Sequence, residues 1–115
     1  VPVAAPGGSS GGTGAGGGTG TGPVTHDVDD PPSGSVLVVR TLSPRLGPLL
    51  PRLAGLVAET GSVLSHLAIL AREQGVPTVV AYAAVDALAD GDEVTVDGLS
   101  GEVTLTADQN LEEAR

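Results

Sequence analysis

Eighteen of the 115 residues are glycine, and most of them stand before residue 35. Glycine adds length without adding apolar surface, and it gives up more backbone freedom on folding than any other residue. The core must therefore come mainly from the residues after 35. The aromatic content is a single tyrosine, Tyr82, so that core is built from Val, Leu, Ile and Ala. A chain of this length suffices for one small domain with a modest interior.

The formal net charge is −9, set by 14 acidic residues against five arginines and no lysine. A nucleic-acid backbone or an anionic membrane surface needs clustered positive charge in its partner, so both are excluded. There is no cysteine, which removes disulfides and thiolate metal sites and is compatible with a reducing, cytoplasmic compartment. No apolar run approaches the roughly 20 residues of a membrane span. The N-terminus lacks the basic-then-apolar order of a signal peptide. A start at Val1 rather than Met fits a piece of something longer.

Composition divides the chain into a Gly-rich flexible segment over 1–22, a folded domain over 23–107 and a polar tail over 108–115. Residues 27–33 form a solvated acidic turn. Val36 to Val39 is an unbroken apolar run, short enough for a buried strand. Ser43 followed by Pro44 signals a helix start. Pro48 and Pro51 each remove a backbone donor, so this helix is short and kinked over 44–53. Gly55 to Ala58 and Thr78 to Ala81 read as strands. Between them a helix runs to about residue 74, with Leu67, Leu70 and Ala71 on one side and Gly75 just past its end. Val85 to Ala89 reads as a short helix. Glu93 to Asp97 alternates as a half-exposed strand, Gly98 to Gly101 turns, and Glu102 to Thr106 returns as its hairpin partner. The sum is an α/β domain of about six short strands with two or three helices.

The chemistry centres on His66, at the start of the 66–74 helix after a Gly-Ser turn. Free N–H donors and the positive end of the helix dipole favour an anion there. A neutral imidazole in that place can attack a phosphoryl group, and the same donors stabilise the charged product. Ser65 or Ser62 caps the helix, and Ser65 adds a hydroxyl donor. Arg72 lies about 120° around the helix from His66. A lone histidine without context would more often be a bland helix-start residue. Gly12-Thr13-Gly14-Ala15-Gly16-Gly17 formally matches a dinucleotide fingerprint. With no strand before it and no helix after it, it reads as a low-complexity loop. His26 reads as a solvated loop residue, and the carboxylates at 90, 92, 93 and 97 as a solvated hairpin face.

The context of His66 is fuller than the motif alone. Glu59, Gly61, Ser65-His66-Leu67-Ala68-Ile69, Ala71-Arg72-Glu73, Gly75-Val76-Pro77 and Val79-Val80 resemble the signature of the phosphohistidine swivelling (mobile) domain of the phosphoenolpyruvate (PEP)-utilising enzymes. That family includes pyruvate phosphate dikinase, PEP synthase, enzyme I of the sugar phosphotransferase system and rifampicin phosphotransferase. Gly34 to Val38, Thr41 with Pro44, Asp90-Gly91-Asp92, Val96-Asp97-Gly98 and Gly101-Glu102-Val103 extend the resemblance on both sides. Three positions depart from the family's usual pattern: Ala58 stands for a threonine, Ser62 for a glycine and Ala81 for a glycine. Leu64 replaces the threonine of the dikinase and enzyme I branches and is more similar to the rifampicin-phosphotransferase branch.

The resemblance implies a swivelling β/β/α domain in which His66 carries phosphate as part of a phosphotransferase. Ser65, Ser62, Gly61 and Arg72 would stabilise the phosphate, with no metal held by the segment. Magnesium and ATP, or PEP, are then expected on partner domains: a nucleotide-binding domain and an acceptor-substrate domain of the same or another chain. The alternative is a catalytically degenerate swivelling domain that serves as a docking or regulatory module.

Overall fold

The computed structural model of the chain describes residues 9–62, 64–83, 85 and 88–105. In chain order the strands are β1 (Ser9–Gly11), β2 (Thr13–Gly16), β3 (Thr19–Thr25), β4 (Ser35–Thr41), β5 (Leu53–Thr60), β6 (Thr78–Val80), β7 (Glu93–Asp97) and β8 (Glu102–Leu105). A 3-10 helix over Pro44–Arg52 joins β4 to β5, and α1 (His66–Glu73) joins β5 to β6. The mixed α/β architecture matches the swivelling-domain expectation.

All eight strands belong to one sheet, in the order β1-β8-β7-β3-β4-β5-β6-β2. Its centre, β3-β4-β5-β6, is parallel. The flanks are antiparallel: β3 with β7, β7 with β8, β8 with β1, and β6 with β2. The two outermost strands, β1 and β2, are neighbours in sequence with only Gly12 between them. Gly12 donates its amide to Gly101 O at 2.8 Å, and Gly16 donates to Gly98 O at 2.8 Å. The sheet is therefore nearly closed, and the N-terminal strands fasten its two ends.

This corrects the reading of residues 9–22 as flexible and of residues 12–17 as a loop. It also explains why there are eight strands rather than about six. The physical reason is close approach of backbone to backbone. A Cβ on Gly14 would run into Gly98 O, one on Gly20 into Ala54 O, and one on Gly22 into Gly34 O. Glycine is the residue that fits where strands meet this tightly. The segment packs through its main chain, so a search for side chains to bury does not find it.

The aliphatic residues divide into two cores. Val24, Val36, Val38, Val57, Val79, Val94, Val96 and Val103 fill the inside of the curved sheet, with Tyr82, Val85 and Leu88 closing it. Leu37, Leu46, Leu50, Leu53, Leu56, Leu67, Ala71 and Val76 form a second core between the sheet's outer face and the two helices. Strand alternation sorts β4 cleanly, with Val36 and Val38 inside and Leu37 outside. On β5 the outward pair is Leu53 and Leu56, three apart. A bulge accounts for it: Ser35 faces Leu53 while Val36 already faces Gly55.

The 3-10 helix follows its sequence signals. Ser43 is its N-cap, Pro44 opens it, and Leu46 and Leu50 point into the outer core. Pro48 and Pro51 lie inside it, where each removes a donor that an α-helical ladder would need. The acidic turn is tethered over this helix, with Arg52 Nη2 3.1 Å from Asp30 and Arg45 Nη2 3.6 Å from Asp29. The expected helix at 85–89 lies partly outside the described residues, at 86 and 87, and residues 1–8 and the tail over 108–115 lie wholly outside them. No helix of the described chain is long and apolar enough to cross a membrane.

Candidate functional site

α1 starts where its sequence predicts. Ser65 is the N-cap in extended conformation, and its Oγ accepts the amide of Ala68 at 3.2 Å. Leu67 and Ala71 are buried, and the φ of Gly75, +77°, ends the helix in the left-handed conformation that suits glycine. Because α1 packs with Leu67 against Leu37 and Leu56, its first residue is fixed while its imidazole is not. His66 is that first residue, and it is exposed. The helix runs back from the C-terminal ends of the parallel strands, the end of such sheets where ligands are usually met.

The surroundings of His66 are donors. The first-turn amides of a helix lack intrahelical acceptors. Ser65 satisfies one of them, through Oγ to Ala68, while its carbonyl accepts the first intrahelical bond, from the Ile69 amide at 3.0 Å. The amides of His66 and Leu67 are left with no acceptor within the helix. Ser65 Oγ accepts a hydrogen bond, so its own proton is left to donate. Ser62 repeats the arrangement one turn earlier: its Oγ accepts the Leu64 amide at 3.0 Å, and its carbonyl accepts the Ser65 amide at 3.0 Å. Gly61, at φ +144°, makes the turn out of β5, a conformation that side chains disfavour.

Of the residues singled out from sequence, Gly61 and Ser62 therefore follow β5, and Ser65 and His66 open α1, with the Ser62 carbonyl bonded to the Ser65 amide. Arg72 does not join them. It sits in the last turn of α1, about 9 Å along the axis from His66 by helical rise. Its stem lies against Gly16 of β2, so closely that a Cβ there would collide with it. The helix C-terminus attracts this cation, and its place is at the far end of α1.

Two of the family departures acquire a geometry. Ser62 is not among the residues with positive φ, so it replaces a glycine without backbone strain. Ala81, just after β6, has φ +57°, the one left-handed non-glycine among the described residues. The family's glycine at this place is therefore a conformational requirement that Ala81 meets at some cost. Leu64 is 78% exposed beside the turn.

Side chains that sequence reasoning did not pair with one another end the neighbouring strands. Arg40 Nη1 lies 2.6 Å from Glu59 Oε1, and the hydroxyls of Thr41 and Thr60 are 3.1 Å apart. The available signal was positional: these four residues end two consecutive parallel strands. His26 is exposed, but it is paired rather than simply solvated. Its Nδ1 lies 2.6 Å from Asp90 Oδ1, and its amide donates to the same oxygen at 3.0 Å. Asp97 likewise does more than line a solvated face. The amides of Leu99 and Ser100 donate to its carboxylate and hold its pKa below the ordinary value. The amides of Asp29 and Asp30 do the same for Asp27. Among the described residues no cluster of ligating side chains is assembled for a metal.

This geometry has known counterparts. The model of the family described as "PEP-utilising enzyme, mobile domain" matches residues 31–101. An uncharacterised phosphotransferase of Bacillus subtilis, YvkC, is 41% identical over 75 residues, covering 64% of this chain and 9% of that protein. A phosphoenolpyruvate-protein phosphotransferase of Streptomyces coelicolor is 45% identical over 83 residues, covering 70% of this chain and 14% of its own length. Among solved structures, the N-terminal domain of Enzyme 1 - Nitrogen superposes with a TM-score of 0.60 at 30% identity, over 75% of this chain and 37% of that one. The chain thus spans a small fraction of the relatives it matches, the fraction that carries the turn before α1. It belongs to the family of the PEP-utilising enzyme mobile domain.

Proposed function

We propose that this chain is the phosphoryl carrier of a PEP-utilising, dikinase-type phosphotransferase, and that His66 relays the phosphoryl group between sites on other domains. The observation that carries the reading is the exposed His66 on the first turn of α1, among the amides of residues 66 and 67 and the hydroxyls of Ser62 and Ser65. Its family membership supplies the reaction class.

In the first step a neutral imidazole nitrogen attacks the phosphorus of the donor in line. A P–N bond forms, the P–O bond to the donor's leaving group breaks, and that oxygen leaves with the electron pair. In the second step an acceptor oxygen attacks the same phosphorus, the P–N bond breaks, and the electron pair returns to the imidazole. The acceptor's proton leaves to a base of the acceptor site. This chain contributes the nucleophile and the donors that face the transferred oxygens. ATP with magnesium, or PEP, is bound by a partner domain, and the acceptor by another. The protein carries out this relay in the cytoplasm.

The test is phosphorylation of the full-length protein with labelled ATP–magnesium and, separately, labelled PEP. Acid-labile, alkali-stable phosphate is expected on the wild type and none on His66→Ala. Equal labelling of the His66→Ala protein sinks the reading. No labelling of the wild type by either donor points instead to a fold kept as a docking module.

A further inference from the structure

β4 and β5 outrun their neighbours. β3 accompanies β4 only as far as Thr25 opposite Leu37. β6 accompanies β5 to Val79 opposite Val57, with one more bond from the Tyr82 amide to Ala58 O. The last pairing of the sheet at this end, Thr41 with Thr60, is made by β4 and β5 alone among the described strands. A two-stranded ribbon is a weak support by itself, yet this one leads from Thr60 into Gly61 and Ser62, ahead of the helix that opens with His66.

Both faces of the ribbon are pinned by side chains. Alternation continues from Val38 and Val57 to Arg40 and Glu59 on the inner face, where the guanidinium and carboxylate meet at 2.6 Å. It continues from Leu37 and Leu56 to Thr41 and Thr60 on the face that α1 covers. There Thr60 Oγ1 donates to Arg40 O at 2.9 Å. A hydroxyl has one proton, so in the 3.1 Å contact between the two threonines Thr41 is the donor. The result is a directed chain from Thr41 through Thr60 to the β4 backbone. The threonine immediately before Gly61 is thereby fixed to the neighbouring strand.

We infer that Thr41 and Thr60, backed by the Arg40–Glu59 pair, are positioning residues for His66: they hold the end of β5 so that the chain beyond it delivers the imidazole in line. This rests on the carrier reading of His66. Placement matters for such a step, since misplacement by about 1 Å costs on the order of 100-fold in rate.

The experiment uses the full-length protein with ATP–magnesium and with PEP, and follows both the rate of His66 phosphorylation and the His66 ring signals by NMR. Thr60→Val and Thr41→Val should each slow phosphorylation by roughly 10-fold or more, at unchanged KM, and displace the ring signals. Thr60→Ser, which keeps the hydroxyl, should restore both. Glu102→Gln, at the opposite end of the domain, should alter neither. A phosphorylated wild type matched in rate and ring signals by Thr60→Val overturns the inference and leaves the carrier reading standing. A wild type that forms no phosphohistidine overturns the carrier reading and this inference with it. Should Thr60→Val fail to fold, Thr41→Val decides by the same two readouts.

Discussion

The two ends of this small domain solve opposite problems. At one end, Gly14, Gly16, Gly20 and Gly22 bring main chain against main chain, with no room for a single added carbon at several of those places. At the other, side chains stand where the family has glycine: Ser62, ahead of α1, sits without strain, and Ala81, just after β6, takes a left-handed conformation. Glycine is thus demanded by close approach where the sheet closes, and by conformation alone, at Gly61 with φ +144°, where the chemistry is proposed. The closing end is governed by volume. The His66 end is governed by hydrogen-bond donors and by which residues hold them still.

The contrast breaks most visibly at Gly20. Gly20→Ala puts a methyl into Ala54 O, and overpacking of this kind should destabilise by about 3 kcal/mol. Gly11→Ala, whose new carbon meets nothing within 4 Å, should fall within about 0.5 kcal/mol of wild type. Urea denaturation of both proteins measures the difference. Equal midpoints would show that the glycine segment is slack rather than tightly fitted.

At the other end the effects are smaller. Ser65→Ala removes the cap on Ala68 and should cost about 1 kcal/mol, read from the same denaturation curves. Its larger consequence should be a slower phosphorylation of His66, since a donor is lost with the cap. Ala81→Gly should raise stability by up to about 1 kcal/mol by relieving the left-handed alanine. A loss of stability there would mean that the alanine methyl makes contacts worth more than its strain.

The smallest effect is electrostatic. Asp27 and Asp97 both have pKa values held below the ordinary 3.8 by backbone amides. A carboxylate depressed in the folded state adds stability above its unfolded pKa and loses it as pH falls through the folded one. Stability should therefore be flat from neutrality down to about pH 4 as far as these two groups are concerned, and should decline below that. Asp97→Asn should flatten part of the decline, measured as the midpoint of thermal unfolding between pH 5 and pH 2. An acid limb unchanged in that variant would show that the turn of residues 98–101 holds itself.

The sequence was most readable where side chains do the packing. The apolar run at 36–39, the Ser43-Pro44 start, the Leu67–Ala71 stripe and the Val94–Val96 alternation each fell into an element of the structure, because burial of their side chains is what forms those elements. The strands over 9–25 were missed for the converse reason. Their stabilising contacts come from main chain, which composition does not display. A trace of them was present all the same: glycine occupies every even position from 12 to 22. That is the two-residue period of a strand with one bare face, and it resembles low complexity only when the spacing is ignored.

The site was legible along the chain and illegible across the strands. Gly61, Ser62, Ser65 and His66 stood together because they are close neighbours in the chain. Arg72 was grouped with them by the family resemblance, although it lies about 120° around the helix from His66, and rise along the axis and the fit of its stem over Gly16 take it elsewhere. Arg40, Thr41, Glu59 and Thr60 were not assembled, because pairing across two parallel strands depends on register, and the bulge at Gly55 shifts that register by one.

The fastening of β1 and β2 through Gly12 has a further consequence for how such a domain keeps company. An open eight-stranded sheet would show two long rows of unsatisfied amides and carbonyls, each an invitation to pair with a neighbour's strand. In the proposed carrier role, beside other folded units at high local concentration, such a sheet would meet that hazard continually. Bringing the outer strands to one seam withdraws the invitation. Contacts with neighbours are then left to side chains and turn tips, which can be made and released repeatedly, instead of to strand addition, which tends to persist.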